Sequence, residues 1–528
     1  MKLKNIALSA LLLLMASAFV ACDEWLDEDP SKSTKKTFRT ADQLDAILGY
    51  YYQFMDDGEK TALLGTDDFH IAPEFQDNKA ASWGIISLDR ILWSTENENG
   101  RSETWQKNYT KIYYANLVLH YIDEVSGDAA YKANLKAEAH FLRAYSMFEI
   151  ALVYTPYYDG SNGNELGLSL KRTISFEESI ARASLADSWA FIDADLQEAL
   201  KITAPYVSNG KRRNWRATTA AVHAFAAHYY LYRGDLKSAY DHADAALKEY
   251  STLKDFNDPT QMRHYERPMQ KTINTAENLG PGNTKEELNI WYPYTYTQSD
   301  TELNLFEWED VLYARTTGYP SWDLIPSPGL LDTYKTDIKD GDPQNDLRYK
   351  YFMLEDATVL RGYYDGSLDG KPAFRYPVYK VFYESDIIAG LTVGEMILIK
   401  AEVQARQGDH TAAMNTLDPL RRARIATAAY TPLTATDKAD AIKKILQERR
   451  REMPFSIRWY DMKRLNANDD PSDDITVTRT FYPFNKNTVL TNDPVKTYTL
   501  EPGSRLYAVP LPRTELEKAK GQLQQNTY

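Results

Sequence analysis

Residues 218–249 constrain the fold more than any other stretch. Two helix-period runs there are broken at Gly234-Asp235. Small residues recur where the runs would face each other: Ala226 and Ala227 in the first, Ala239, Ala243 and Ala246 in the second, with Tyr230 beside them. Small side chains let two helices approach closely, and the glycine supplies the turn between them. The same layout returns at Gly408-Asp409, with Ile397 and Ala401 before it and Ala413, Leu417 and Leu420 after it. Two such pairs, far apart in the chain, call for a body built mainly of packed antiparallel helices.

The spacing is that of a tetratricopeptide unit of about 34 residues. His223 stands where that pattern usually has Trp, and Ser251 where it usually has Pro. Periodicity predicts further helices over 41–54, 103–124, 184–202 and 437–453, and over 136–152, where Ala137, Phe141, Tyr145, Phe148 and Leu152 trace one face. Residues 255–391 are rich in Gly, Pro, Asn, Asp, Tyr and Trp and lack that period, so short strands and loops are expected. Strand-like pieces are also expected within 479–512, for example 505–510. The expected fold is mostly α: tetratricopeptide-like helical pairs forming a scaffold, with long irregular loop insertions and a few short β-strands. The expected divisions are a signal peptide (1–21), an acidic tether (22–40), a helical part (41–254), an aromatic loop-rich insertion (255–391) and a C-terminal part (392–528), folded as one body.

Lys2 and Lys4 precede an apolar run over 6–20, shorter than the roughly 20 residues a spanning helix needs. The run ends Phe19-Val20-Ala21-Cys22, the pattern of an export signal followed by a lipid-modified cysteine. Cys22 is the single cysteine, so disulfides, thiolate clusters and redox pairs within the chain are excluded. Acylation at Cys22 would anchor the chain, each buried CH₂ contributing about 0.8 kcal/mol. An ordinary signal with an incidental cysteine is the alternative. Asp23, Glu24, Asp27, Glu28 and Asp29 follow at once and should stay solvated. With 61 Lys+Arg against 75 Asp+Glu, a net charge of −14 and no long basic run, the chain is a poor binder of nucleic acid.

Motifs for catalysis are missing. The eight His residues form no His-Glu-Xaa-Xaa-His arrangement, and there is neither a Gly-Xaa-Ser-Xaa-Gly elbow nor a phosphate loop. No cofactor is expected. Acidic loops at 159–165 and 337–346 offer clustered oxygens for a structural calcium ion, without EF-hand spacing; solvated loops are the simpler reading. The positive signal is aromatic. One loop region carries Trp83, Trp93, Asn97 and Arg101, and a second carries Trp291, Tyr292, Tyr294, Tyr296, Trp308 and Trp322. Flat rings beside amide and guanidinium groups suit a sugar, whose C–H face lies on a ring while its hydroxyls need donors and acceptors. These ten residues are the candidate ligand contacts. Peptides use similar surfaces, and any one ring could equally pack a loop onto the scaffold. Trp105, Tyr109, Tyr113 and Tyr114 are assigned to packing.

Taken in order, several fragments resemble the SusD/RagB family of nutrient-binding outer-membrane lipoproteins of the Bacteroidetes. They are Cys22 with Trp25-Leu26-Asp27, KAEAHFLRAYSMFEIALVY at 136–154, DLQEAL at 195–200 and RATTAAVHAFAAHYYLYRGDLKSAYDHADAAL at 216–247. GEMILIKAEVQARQGD at 394–409, ERRREMPFSIRWYDMKRL at 448–465 and LYAVPLPRTELEKAKGQLQQN at 506–526 complete the set. Phe455-Ser456-Ile457 replaces the family's usual Phe-Glu-Gly, which suggests a changed local turn. The resemblance implies a non-enzymatic binder, lipid-anchored on the outside of the outer membrane, that passes oligosaccharides to a TonB-dependent SusC-like barrel. It carries over no ligand contact by motif. Binding of peptides or glycopeptides, an adaptor role without a small ligand, and a lipid-anchored hydrolase are the alternatives. Glu448, Arg449, Arg450, Arg451, Glu452, Arg458, Asp461 and Arg464 read as an ion-pair network joining helices.

Overall fold

Polar residues stand just before most of the long helical runs and close their open first turns. The computed structural model describes residues 38–58, 61–71, 85–95, 102–258, 260, 263–266, 289–292, 309–318, 324–354, 377–379, 386–485 and 488–528. The helices are α1 (Ala41–Leu48), α2 (Tyr51–Met55), α3 (Ile85–Ile91), α4 (Glu103–Tyr121), α5 (Ala129–Tyr154), α6 (Leu185–Ala199), α7 (Thr219–Tyr232) and α8 (Leu236–Glu249). They continue with α9 (Pro328–Thr333), α10 (Leu347–Phe352), α11 (Val393–Arg406), α12 (His410–Arg424), α13 (Lys438–Glu452), α14 (Arg458–Leu465) and α15 (Arg513–Lys518). Ser102, Asp128, Ser184, Thr218, Asp235, Thr392, Asp409 and Asp437 each accept a backbone N–H of the helix they precede. Such a cap contributes about 1 kcal/mol.

The two helical pairs form as the sequence predicts. Gly234 and Gly408 take left-handed φ values of 76° and 96° at the turns, and Ala226, Ala227, Ala239, Ala243, Ala246, Ala401 and Ala413 are wholly buried. The pairs are separated in sequence but adjacent in space, because α8 packs directly on α11. Polar bonds pin that contact: Lys400 Nζ to Asp244 Oδ1 at 2.6 Å, and His228 Nδ1 to Glu395 Oε1 at 2.7 Å between α7 and α11. α4, α5 and α6 continue the stack, and Phe148 of α5 is ringed edge-on by Trp189, Phe225, Tyr229 and Tyr232. Such edge-to-face pairs add to the burial they bring.

Two expectations are corrected. The helix expected over 41–54 is two helices, broken where Gly49 N–H turns back to Asp45 O and Tyr50 leaves helical geometry; glycine is a weak helix former and a ready terminator. The strand expected at 505–510 begins as a 3₁₀ turn, Arg505–Tyr507, capped by Ser504. Val509 N–H then bonds Val153 O at the end of α5, so this piece finds a helix end and not a strand partner. The tail's strands are instead Val477–Phe481 and Lys496–Leu500, paired antiparallel.

Within the insertion the described strands are short and antiparallel. Val311–Tyr313 pairs with Leu391–Thr392, and Thr316–Gly318 with Asp386–Ile388, so the chain returns beside its point of departure before entering α11. Gly390 sits against this seam: a Cβ there would lie 1.9 Å from Tyr313 O. Residues 1–37, which include the expected signal, tether and Cys22, lie outside the described residues. Among the described residues no helix is long and apolar enough to cross a membrane.

Candidate functional site

Trp93, of the first aromatic loop region, sits in a corner built by residues 61–71, α3 and the strand Val477–Phe481. Arg479 of that strand is buried there and donates to the carbonyl oxygens of Leu64, Ile91, Thr66 and Phe69 at 2.7, 2.5, 2.6 and 3.1 Å. Burial pushes its pKa down to about 9. Trp93 leaves α3 with φ +53°, donates its indole N–H to Gly65 O at 3.0 Å, and lies under the Arg479 guanidinium at 5.1 Å. Its ring is 7% exposed. Trp93, expected as a ligand contact, is therefore a core pillar: its polar edge is engaged and a cation covers one face.

The same segment 61–71 also meets the acid–base cluster. Asp67 takes Arg458 in a two-pronged pair at 2.7 and 2.9 Å, and Asp68 takes Arg450 at 2.5 Å and the Phe455 N–H at 2.8 Å. Burial opposes the charge on Asp67, but Arg458 and Arg450 outweigh it and hold its carboxyl well below the usual range. Phe455 itself adopts the left-handed conformation (φ +62°) at the turn Phe455-Ser456-Ile457. Deeper in, Glu448 meets Arg348, Arg421 and Arg451 at 2.6, 2.6 and 2.7 Å. Arg449 bridges Glu395 and Asp461, and Arg464 bridges Asp461 and Glu402. Burial raises the Glu395 pKa, yet His228 and Arg449 bring it down to about 2. These groups are engaged with one another inside the protein, and they tie α11–α14 to α10 and to the segment 61–71.

Of the other candidate contacts, Trp291 and Tyr292 lie on the strand Asn289–Tyr292, which pairs antiparallel with Arg263–Glu266 and runs beside α10. Trp83, Asn97, Arg101, Tyr294, Tyr296, Trp308 and Trp322 lie outside the described residues. Among the described residues no group of three or more His, Cys, Asp or Glu is placed to hold a metal ion. The Asp159 carboxylate instead caps its own loop, accepting Ser161 N–H, Ser161 O–H and Asn162 N–H.

One aromatic surface was not anticipated. Trp105 is buried as expected, edge-on to Tyr154 and tilted against Tyr109. Tyr113, also assigned to packing, is 37% exposed and stacks on Phe176, which is 91% exposed. The sequence signal was present: Phe176 is the lone aromatic between Thr173 and Glu178, flanked by Ser175 and Glu177.

Comparison with known proteins adds the following. Residues 24–231 match a family described as "Starch-binding associating with outer membrane", and residues 393–528 match the SusD family. SusD-like protein P38 of Formosa agariphila is 20% identical over 515 residues, covering 91% of this chain and 96% of that one. A crystal structure of a SusD-like protein from Bacteroides fragilis superposes with a TM-score of 0.60 at 17% identity, covering 94% of this chain and 98% of that one. A structure named as a laminarin-binding SusD-like protein gives 0.53 at 17% identity, covering 93% and 99%.

Proposed function

Because the chain belongs to the SusD family, we propose that it is a non-catalytic oligosaccharide binder, held outside the outer membrane by acyl chains on Cys22, that hands its ligand to a TonB-dependent SusC-like barrel. What supports the reading is that two family-matched blocks, 24–231 and 393–528, flank a stretch of sequence rich in Trp and Tyr. Trp291 and Tyr292 stand on a paired strand beside α10, and Trp308 and Trp322 follow in the same insertion. Indole and phenol rings can offer flat faces to a pyranose, and amide or guanidinium groups can meet its hydroxyls. The laminarin-binding relative and the starch-binding family description point to the same ligand class. Affinity should be modest, since each hydroxyl must give up water before it is bound.

Titration calorimetry against laminarin, starch and other polysaccharides tests the reading. Binding to at least one, its loss in Trp291→Ala with an unchanged melting midpoint, and recovery of the saccharide uncut by chromatography are expected. Saccharide cleavage, or binding of peptides alone, overturns it. Cys22→Ser should release the protein from the outer membrane fraction; retention there would refute the anchor.

A further inference from the structure

The cleft under Phe176 lies between α4, the loop 169–180 and the C-terminal residues 515–523, and its volume is about 330 Å³. That is within the range of roughly 300–1,000 Å³ typical of small-molecule sites. We propose that this cleft is a second saccharide-binding site, with Tyr113 and Phe176 as its platform.

Phe176 is presented, not merely left outside. The Glu178 carboxylate accepts Arg172 N–H, Thr173 N–H and Thr173 O–H at 2.9, 3.1 and 3.1 Å, and Asn116 donates to the carbonyls of Lys171 and Thr173. Thr173 Oγ1 also accepts Ser175 N–H, and Ser175 Oγ accepts Glu177 N–H. A loop ordered by this many bonds holds a nearly fully exposed ring parallel to Tyr113, 6.1 Å away and 20° out of plane. Held by these bonds, the Phe176 ring and the part-exposed Tyr113 beside it present an apolar face at the mouth of the cleft.

The chemistry of the walls selects the ligand. Trp105, Tyr109 and Leu523 supply an apolar floor. The polar groups around that floor are engaged with the protein: Tyr109 O–H on Ser169 O, Ser169 O–H on Ile180 O, and Lys171 Nζ on Glu178 O. The floor can therefore receive C–H groups but offers little to a peptide backbone. The rim, in contrast, carries the Glu515–Lys518 pair at 2.8 Å, a carboxylate and an ammonium that can exchange their mutual contact for hydroxyls. An apolar face with a hydroxylated edge is what a pyranose provides. The site lies on different elements from the Asn289–Tyr292 strand, so it would hold a separate stretch of polysaccharide and raise the effective concentration at the first site.

The inference rests on the oligosaccharide reading above, and the test separates the two. Laminarihexaose and maltohexaose are titrated into the full chain, and into Trp291→Ala, Phe176→Ala and the double variant, by calorimetry and saturation-transfer NMR. We expect Phe176→Ala to weaken association about three- to tenfold, as loss of one stacking ring would. The double variant should lose what either single variant keeps. Phe176 is so exposed that its truncation leaves folding intact. If Phe176→Ala binds as the parent does while Trp291→Ala does not, the cleft is refuted and the first reading stands. If Phe176→Ala alone abolishes binding, the cleft stands and the insertion site falls. If neither hexasaccharide binds the parent, the cleft is refuted, and the first reading is then decided by the wider polysaccharide panel.

Discussion

Replacing Glu448 by Gln tests whether the buried acid–base cluster holds the fold or serves a ligand. Glu448 is fully buried, and its two oxygens meet Arg348, Arg421 and Arg451, none more than 2% exposed. At about 4 Å between charge centres and an effective dielectric near 20, each contact is worth about 4 kcal/mol before the carboxylate's own loss of water is subtracted. Burial raises the pKa of this carboxyl, but the three guanidinium groups hold it far below the ordinary carboxylate range, so the attraction exceeds the loss. The amide keeps the shape, so no cavity contributes. It removes one negative charge and turns a donor toward guanidinium groups that are themselves donors. Arg348 retains Asp346 and Glu452, whereas among the described residues Arg451 retains the carbonyls of Thr333 and Thr336 as hydrogen-bond acceptors. Breaking a buried pair in this way costs about 3–5 kcal/mol. Urea unfolding followed by tryptophan fluorescence should show that loss. Glu517→Gln, which removes an exposed pair with Arg513 at 2.9 Å, should fall within about 0.5 kcal/mol of the parent. Saccharide affinity of folded Glu448→Gln should be unchanged. Equal stability of the two variants, or lost affinity at full stability, would refute the structural assignment.

Lys463 is buried and donates to the carbonyls of Leu152 and Thr155; burial pushes its pKa down to about 7. Between that value and the unfolded 10.5 the unfolded chain binds the extra proton, so parent stability relative to Lys463→Met should rise with pH by about 1.4 kcal/mol per unit over that window and stay level below it; a flat difference from pH 7 to 9 would contradict the assignment. Trp93→Ala should cost roughly 3–5 kcal/mol in the same urea assay, the mark of a core ring; an unchanged midpoint would return Trp93 to the ligand candidates. Gly390→Ala puts a methyl group into Tyr313 O and should cost at least about 2 kcal/mol. Gly234→Ala meets no neighbour and should lose only about 1–2 kcal/mol from its left-handed φ of 76°; equal losses would refute the close approach at Gly390.

Helix positions, caps and the inner faces of the two pairs were legible because they are local: Asp235 and Asp409 cap the residues that follow them, and the alanines recur at the helical period. The single cysteine also excludes a disulfide within the chain. What periodicity does not carry is which face meets which partner. That α8 would lie on α11, that Asp67 and Asp68 would reach Arg458 and Arg450 across most of the chain, and that Glu448 would be claimed by Arg348 from the insertion were decided by tertiary packing. The same holds for the rings. Trp93 and Phe176 are both loop aromatics in sequence, but one is covered by Arg479, whereas the other rests against Tyr113 and stays 91% exposed. A side chain's identity sets what it can bind, whereas its exposure depends on distant segments that close over it or leave it open.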